Sequence, residues 1–405
     1  MVNVTEKAAS LGGDMTELRH ALHREPETGL QLPGTQERVL DALDGLPLEI
    51  STGDSLTSVT GVLRGGRPGP AVLLRADMDA LEIEEKTGVP YASQKSDAMH
   101  ACGHDLHTAM LVGAAHVLAS ARDELAGSVV FMFQPGEEAW DGAGHMIREG
   151  VLDAAGSRPV AAYALHVMSR GWPHGTFTTR PGPMLAASDA LSVTVRGSGG
   201  HGSAPHLARD PVLAACEMAL ALQTFLSRSV DPLEAVVLTV GSFHAGVRNN
   251  VIPDTASFEA TIRTFSEEVR DLVGRGTVRV CEGIAAAHGL DVDAVCIPQY
   301  PVTVNDGAEA AFAGQTVTEM FGGDTFTPMA NPVTGAEDFS RVIAEVPGAM
   351  LFLSAVPPGS DYESLPNNHS QYAVFDDGVL GAGAALYAGL AMRRLAAEAQ
   401  IRASA

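Results

Sequence analysis

Three apolar runs, each stopped abruptly by residues that carry chemistry, limit what this chain can become. AVLLR (71–75) runs into Ala76-Asp77-Met78-Asp79, SVVFMF (128–133) into Gln134-Pro135-Gly136-Glu137-Glu138, and the run 160–165 into His166. Nearly continuous apolar runs of this length suit central strands covered on both faces. Polar groups just past their carboxyl ends stand where open α/β sheets place their sites. Between the first two runs lies TAMLVGAAHVLASA (108–121), small and apolar nearly all round, which predicts a helix buried on the sheet. A strand over 59–64 and helices over 14–24 and 35–44 precede them. The alternation is that of a doubly wound α/β domain.

Directly before the apolar helix comes Met99-His100-Ala101-Cys102-Gly103-His104-Asp105. A thiol and an imidazole two residues apart are good ligands for a borderline-soft divalent metal, and Gly103 lets the backbone turn both toward one ion. Two ligands are half a site. The other candidates are Glu137 and Glu138, His166, and His369 in the loop VPPGSDYESLPNNHS. Adjacent glutamates on an extended backbone point opposite ways, which suits one ligand and one free base. Of the remaining histidines, His116 reads as a core histidine. His20 and His23, at helical i, i+3 spacing, read as a solvated helix face. Asp77 and Asp79 are either site carboxylates or solvated loop aspartates.

Around residue 186 the pattern changes to alternation. DALSVTVR (189–196) predicts a half-exposed strand, followed by a glycine-rich loop holding His201, a helix over 210–228, strands over 234–244 and 251–264, a helix over 267–288 and a strand over 290–299. The order β-α-β-β-α-β is the ferredoxin-like split motif. The expected organisation is a catalytic domain in two parts, 1–186 and 301–405, with an inserted domain at 187–300.

The totals narrow the partners. The 405 residues are 45% hydrophobic, enough for a large core, and carry 26 basic against 49 acidic side chains, a formal charge of −23. That balance argues against nucleic acid and anionic membranes. An anionic substrate would need a local basic anchor. Cys102, Cys216, Cys281 and Cys296 are scattered without a disulfide pattern, which points to a reducing cytoplasm. MVNVTEKAAS has no basic-then-apolar signal pattern, and no apolar run reaches the ~18 residues of a membrane span.

The ordered set RADMDAL, MHACGHDLHTAML, FQPGEE, LHV, GSGGHGSAPH, NNVIPD, TIRTF, GAEDFS and NNHS resembles the M20 metallopeptidase family, in particular its branch of hippurate hydrolases, aminoacylases and auxin-conjugate hydrolases. The likeness runs from about Leu18 to Leu390. It implies an α/β class chain: a three-layer α/β/α metallopeptidase catalytic domain, interrupted by a ferredoxin-like α+β lid that also forms a homodimer. It implies two divalent ions per subunit, zinc by default, with manganese or cobalt compatible. Carried over, Cys102 bridges the ions, His104 and Glu138 complete the coordination, and His166 and His369 are terminal ligands. Glu137 is the general base and Asp79 orients a ligand. Other branches place a ligand histidine where this chain has Asp77, so Asp77 is not expected to bind metal. His201 would reach the partner's site and stabilise the oxyanion, and Asn250 and Arg263 would bind the substrate carboxylate or the reacting carbonyl, the alternative for Arg263 being a simple salt bridge to Glu259. Two departures stand out: Gln371 follows His369-Ser370 where proline is more usual, and EPETGL lacks an aromatic often found there.

The implied activity is hydrolysis of N-acyl amino acids to a carboxylic acid and a free amino acid. A carboxypeptidase or dipeptidase of the same fold is the alternative. A non-catalytic binding protein would have lost the base or ligands that this chain keeps. A cysteine nucleophile would not need the carboxylates clustered beside it.

Overall fold

The computed structural model describes residues 2–404. They form two compact units, one made of the chain up to Met184 with Val304–Asn331 and the segment from Arg341 onward, the other of Leu185–Thr303 and Pro332–Ser340.

The first unit is built on a seven-stranded sheet. Its strands are β1 (Leu48–Thr52), β2 (Val59–Arg64), β3 (Arg67–Asp77), β4 (Ala126–Gln134), β5 (Ala161–Met168) and β6 (Phe177–Thr178), and later in the chain β11 (Gly348–Ser354). The spatial order is β1-β2-β4-β3-β5-β11-β6. The four central strands β4, β3, β5 and β11 are parallel, and antiparallel strands flank them on either side. The apolar runs occupy the centre, as their continuous hydrophobicity requires. Alternation still shows within them: Val72, Leu74 and Ala76 join Val129, Phe131 and Phe133 in the main core. Arg75, on the opposite face of β3, is fully buried and donates from Nε to Gln134 on β4 at 2.9 Å.

Helix α2 (His104–Ser120) lies against β3 and is buried along almost its whole length, as its sequence predicts. It begins four residues earlier than the apolar pattern, at His104. The C-terminal helix Leu380–Ser404 packs beside it. His116 Nε2–H donates to Ala42 O (2.8 Å), which satisfies it within the core. His20 and His23 differ from their expected solvated face. Both lie on α1 (Gly12–Arg24), where His20 stacks on Tyr91 and pairs with Asp377, and His23 is buried between Asp105 and Glu85. Sequence spacing along one helix cannot show partners that lie far away in the chain.

The second unit has four strands, β7 (Ala187–Arg196), β8 (Val236–Ala245), β9 (Thr255–Thr264) and β10 (Asp291–Tyr300), in the order β8-β9-β7-β10, all antiparallel. Helices Pro211–Ser229 and Glu267–Ala287 pack on one another and on this sheet. This is the split β-α-β-β-α-β arrangement. Alternate residues Leu191, Val193 and Val195 enter its core with Phe258 and Ile262. The expected strand over 251–264 is broken: Val251–Ile252 pairs with Gly200–His201, and β9 starts only after Pro253, which has no amide hydrogen to continue a ladder. No helix among the described residues is long and apolar enough to cross a membrane.

Candidate metal centre

The carboxyl ends of β3, β4 and β5 deliver Asp77, the turn after Gln134, and His166 to one place. Gly103 adopts φ +86° at the start of α2, and a Cβ there would strike Val167 Cγ2 at 2.3 Å. Only glycine serves both needs, and it sets Cys102 and His104 on either side of a tight corner. From the far end of the chain, the loop carrying His369 is strapped down: the His369 N–H donates to Ala101 O (2.9 Å) and Asn368 Nδ2 to Cys102 O (3.3 Å). His369 takes φ +69°, a conformation that costs a non-glycine residue about 1 kcal/mol or more and gathers at functional sites.

The five sequence-predicted ligands come together. Cys102 Sγ lies 3.3 Å from His166 Nε2 and 3.2 Å from His369 Nε2. His369 Nε2 also faces Glu138 Oε1 at 3.2 Å. Donor atoms lie within 4.8 Å of one another in three overlapping sets: Cys102, His104 and His166; Cys102, Glu138 and His369; His104, Glu137 and Glu138. Glu137 and Glu138 therefore share the site instead of pointing apart. The backbone there is a turn led by Gly136 at φ +74°, not an extended strand. Asp79 fixes that turn by accepting the N–H groups of Glu137 and Glu138, each at 3.0 Å.

The donor set fits a divalent metal. His104 is fully buried, yet neither ring nitrogen has a hydrogen-bond partner. Carboxylate oxygens of Asp77 and Asp79 stand off at 3.6 and 3.5 Å. Unpaired buried polar nitrogens are costly unless something binds them. Hydrogen bonds to Cys102 and Glu138 push the His369 imidazole up to about 10, so its surroundings favour positive charge. Burial, with His107 nearby, holds His166 well below its ordinary value, in the neutral form that ligation requires. Thiolate, imidazole and carboxylate donors together suit zinc-like ions.

Asp77 is engaged by Arg75 (2.7 Å) and by His107 (2.5 Å). Behind the site, Asp105 accepts from Arg19 Nε (2.9 Å) and His23 Nδ1 (2.8 Å). Sequence reasoning missed His107 and Asn368, although both lie in the quoted motifs. A histidine on a helix that is buried all round needs a polar partner, which was the available signal. His201, Asn250 and Arg263 belong to the second unit. His201 is exposed and its Nδ1 meets Ser203 Oγ at 2.8 Å, while the Asn250 carbonyl accepts the Gly202 N–H at 2.9 Å. Arg263 lies on β9, half-buried, and donates to Ser188 Oγ, with its partner not Glu259.

An α/β sheet with thiol, imidazole and carboxylate donors converging at its strand ends defines the site of a metal-binding protein. The chain matches the model of Peptidase family M20/M25/M40 over residues 73–393, and it belongs to that family. It is 36% identical to a hippurate hydrolase of Campylobacter jejuni over 97% of this chain and 100% of that one. It is also 36% identical to thermostable carboxypeptidase 2 of Saccharolobus solfataricus, over 93% of this chain and 94% of that one. A solved structure of a dinuclear metal-binding M20 peptidase from Bacillus subtilis matches with a TM-score of 0.81 at 30% identity, covering 96% of this chain and 99% of that one.

Proposed function

We propose that this protein is a divalent-metal-dependent amidohydrolase that splits N-acyl amino acids into a carboxylic acid and a free amino acid. The observation that carries the reading is the convergence of Cys102, His104, Glu138, His166 and His369, with the buried Glu137 carboxyl among them. Those five side chains would hold two ions, zinc by default and manganese or cobalt as compatible substitutes. Bound metal supplies acidified water and a polarised amide carbonyl.

The rest is the work of this chain's own residues. Glu137 takes a proton from the attacking water and passes it to the departing nitrogen, two roles for one carboxyl group. Asp79 keeps Glu137 and Glu138 in register by gripping their backbone. His201 is assigned as the donor to the developing oxyanion, and Asn250 and Arg263 as the groups that bind the substrate carboxylate and carbonyl. In a protein of formal charge −23, such a basic anchor is what an anionic substrate needs.

The names of the two relatives are chemically close. A hippurate and a peptide carboxyl terminus both present an amide whose nitrogen belongs to an amino acid with a free carboxylate. We further propose a cytoplasmic homodimer joined through the second unit, whose sheet exposes Val295 and Ile297 on the face away from its helices. The test of substrate class is a paired panel: N-benzoyl and N-acetyl amino acids, their carboxyl-amidated counterparts, and dipeptides. Release from the acids and not the amides supports the reading. Equal release from the amides contradicts carboxylate recognition, and release from dipeptides alone favours the dipeptidase reading.

A further inference from the structure

Strands β3 and β5 stay in register only as far as Arg75 opposite Ala164. Beyond that point the two chains separate, and side chains take up the backbone groups that pairing no longer satisfies. The Tyr387 hydroxyl donates to Arg75 O at 2.6 Å and accepts the Leu165 N–H at 2.9 Å. One step further, the Val167 N–H donates to His107 Nε2 at 2.7 Å. A ring nitrogen that accepts carries no proton, so the proton of His107 sits on Nδ1 and is given to Asp77 Oδ1 at 2.5 Å. Asp77 is itself held by Arg75 at 2.7 Å. His107 falls with Asp77 and His104 in a group whose polar atoms lie within 4.8 Å. Both of its nitrogens are already used, so it has no lone pair for an ion.

The other end of Val167 is gripped as well. Its carbonyl accepts His166 Nδ1–H at 2.8 Å and Asn368 Nδ2–H at 3.0 Å. Since a carbonyl only accepts, His166 must carry its proton on Nδ1. Its bare Nε2 then faces Cys102 Sγ at 3.3 Å.

We propose that His107 is a positioning residue: by taking the Val167 N–H at the splayed strand end, it fixes the backbone on which His166 is mounted and so keeps the His166 Nε2 lone pair directed into the metal centre. The proposal rests on the reading of His166 as a metal ligand. Asp77 acts in the same chain of contacts by choosing the His107 tautomer, which gives this buried carboxylate a use without coordination.

The test compares zinc affinity, by competition with a chromophoric chelator, in wild type, His107→Asn, His107→Gln and His166→Ala. Asparagine can still donate to Asp77 but leaves the Val167 N–H without its acceptor, so affinity should fall by about 10–100-fold. Glutamine is long enough to place an oxygen where Nε2 stood and should restore most of that loss. Unchanged affinity in His107→Asn, or an equal loss in both His107 variants, overturns the proposal. Should His166→Ala bind zinc as wild type does, the ligand reading fails and the proposal falls with it. A loss in His166→Ala without one in His107→Asn sinks the proposal alone. Ring nitrogen NMR of the zinc-loaded wild type needs no substitution: His107 should be protonated at Nδ1 and bare at Nε2, and an Nε2–H form overturns the relay.

Discussion

Asp79 holds the backbone of Glu137, accepting its N–H at 3.0 Å with one carboxylate oxygen while the other takes the N–H of Glu138. Asp79 is almost fully buried, so neither bond is easily replaced by water. Asp79→Asn turns one acceptor into a donor facing a donor. We expect kcat to fall by about 10–100-fold with KM changed much less, since the loss falls on the placement of the proposed base. Steady-state kinetics on an N-acyl amino acid checks this, and unchanged kcat would show that the turn holds without Asp79.

Removing the proposed base, Glu137, should be more damaging. Glu137→Gln keeps the shape of the side chain and abolishes proton acceptance. The expected loss in kcat is about 10²–10⁴-fold, with zinc content retained. Atomic absorption alongside the kinetics separates loss of the base from loss of metal.

Gly103→Ala tests the corner between Cys102 and His104. The substitution meets both a left-handed φ of +86° and a 2.3 Å approach to Val167 Cγ2. Left-handed backbone costs roughly 1–2 kcal/mol, and overpacking adds about 1–3 kcal/mol. A lowered urea midpoint together with weakened zinc binding is expected. A variant as stable as wild type would mean the corner can relax.

The pairing of His23 with Asp105 makes a pH prediction. Burial opposes charge on His23, but the Asp105 carboxylate outweighs it and raises the imidazole from 6.5 to about 9. The sign follows from linkage: below pH 6.5 the ring is charged in folded and unfolded chains alike, and the pair's full stabilisation is present. As pH rises toward 9 the unfolded chain sheds its proton first, and that stabilisation declines, by on the order of 3 kcal/mol in all. Denaturant melts from pH 6 to 9.5 should show the decline, and His23→Gln should make it shallower. An unchanged slope in the variant would place the charge elsewhere.

Much of this site was legible because its residues stop apolar runs. Glu137, Glu138 and His166 each follow or end a buried strand, and a burst of chemistry at such a place is hard to explain as solvated surface. The ferredoxin-like order of the second unit was legible for a related reason, since its strands alternate and its helices carry a clear apolar face. The sheet order was not. β4 inserts between β2 and β3, a choice made by long-range packing that no local pattern records. His23 was misread because Asp105 lies 82 residues away in sequence. The direction of Glu137 and Glu138 was misread because period-two alternation was applied to two residues that Gly136 and Asp79 fold into a turn.

The most direct test of the whole account is a metal titration. The enzyme is stripped with chelator, zinc is returned in measured equivalents, and release of free amino acid from N-benzoyl and N-acetyl amino acids is followed. The account predicts no release from the stripped protein, and release that rises with added zinc and levels off near two equivalents per chain. Full turnover by metal-free protein would contradict it.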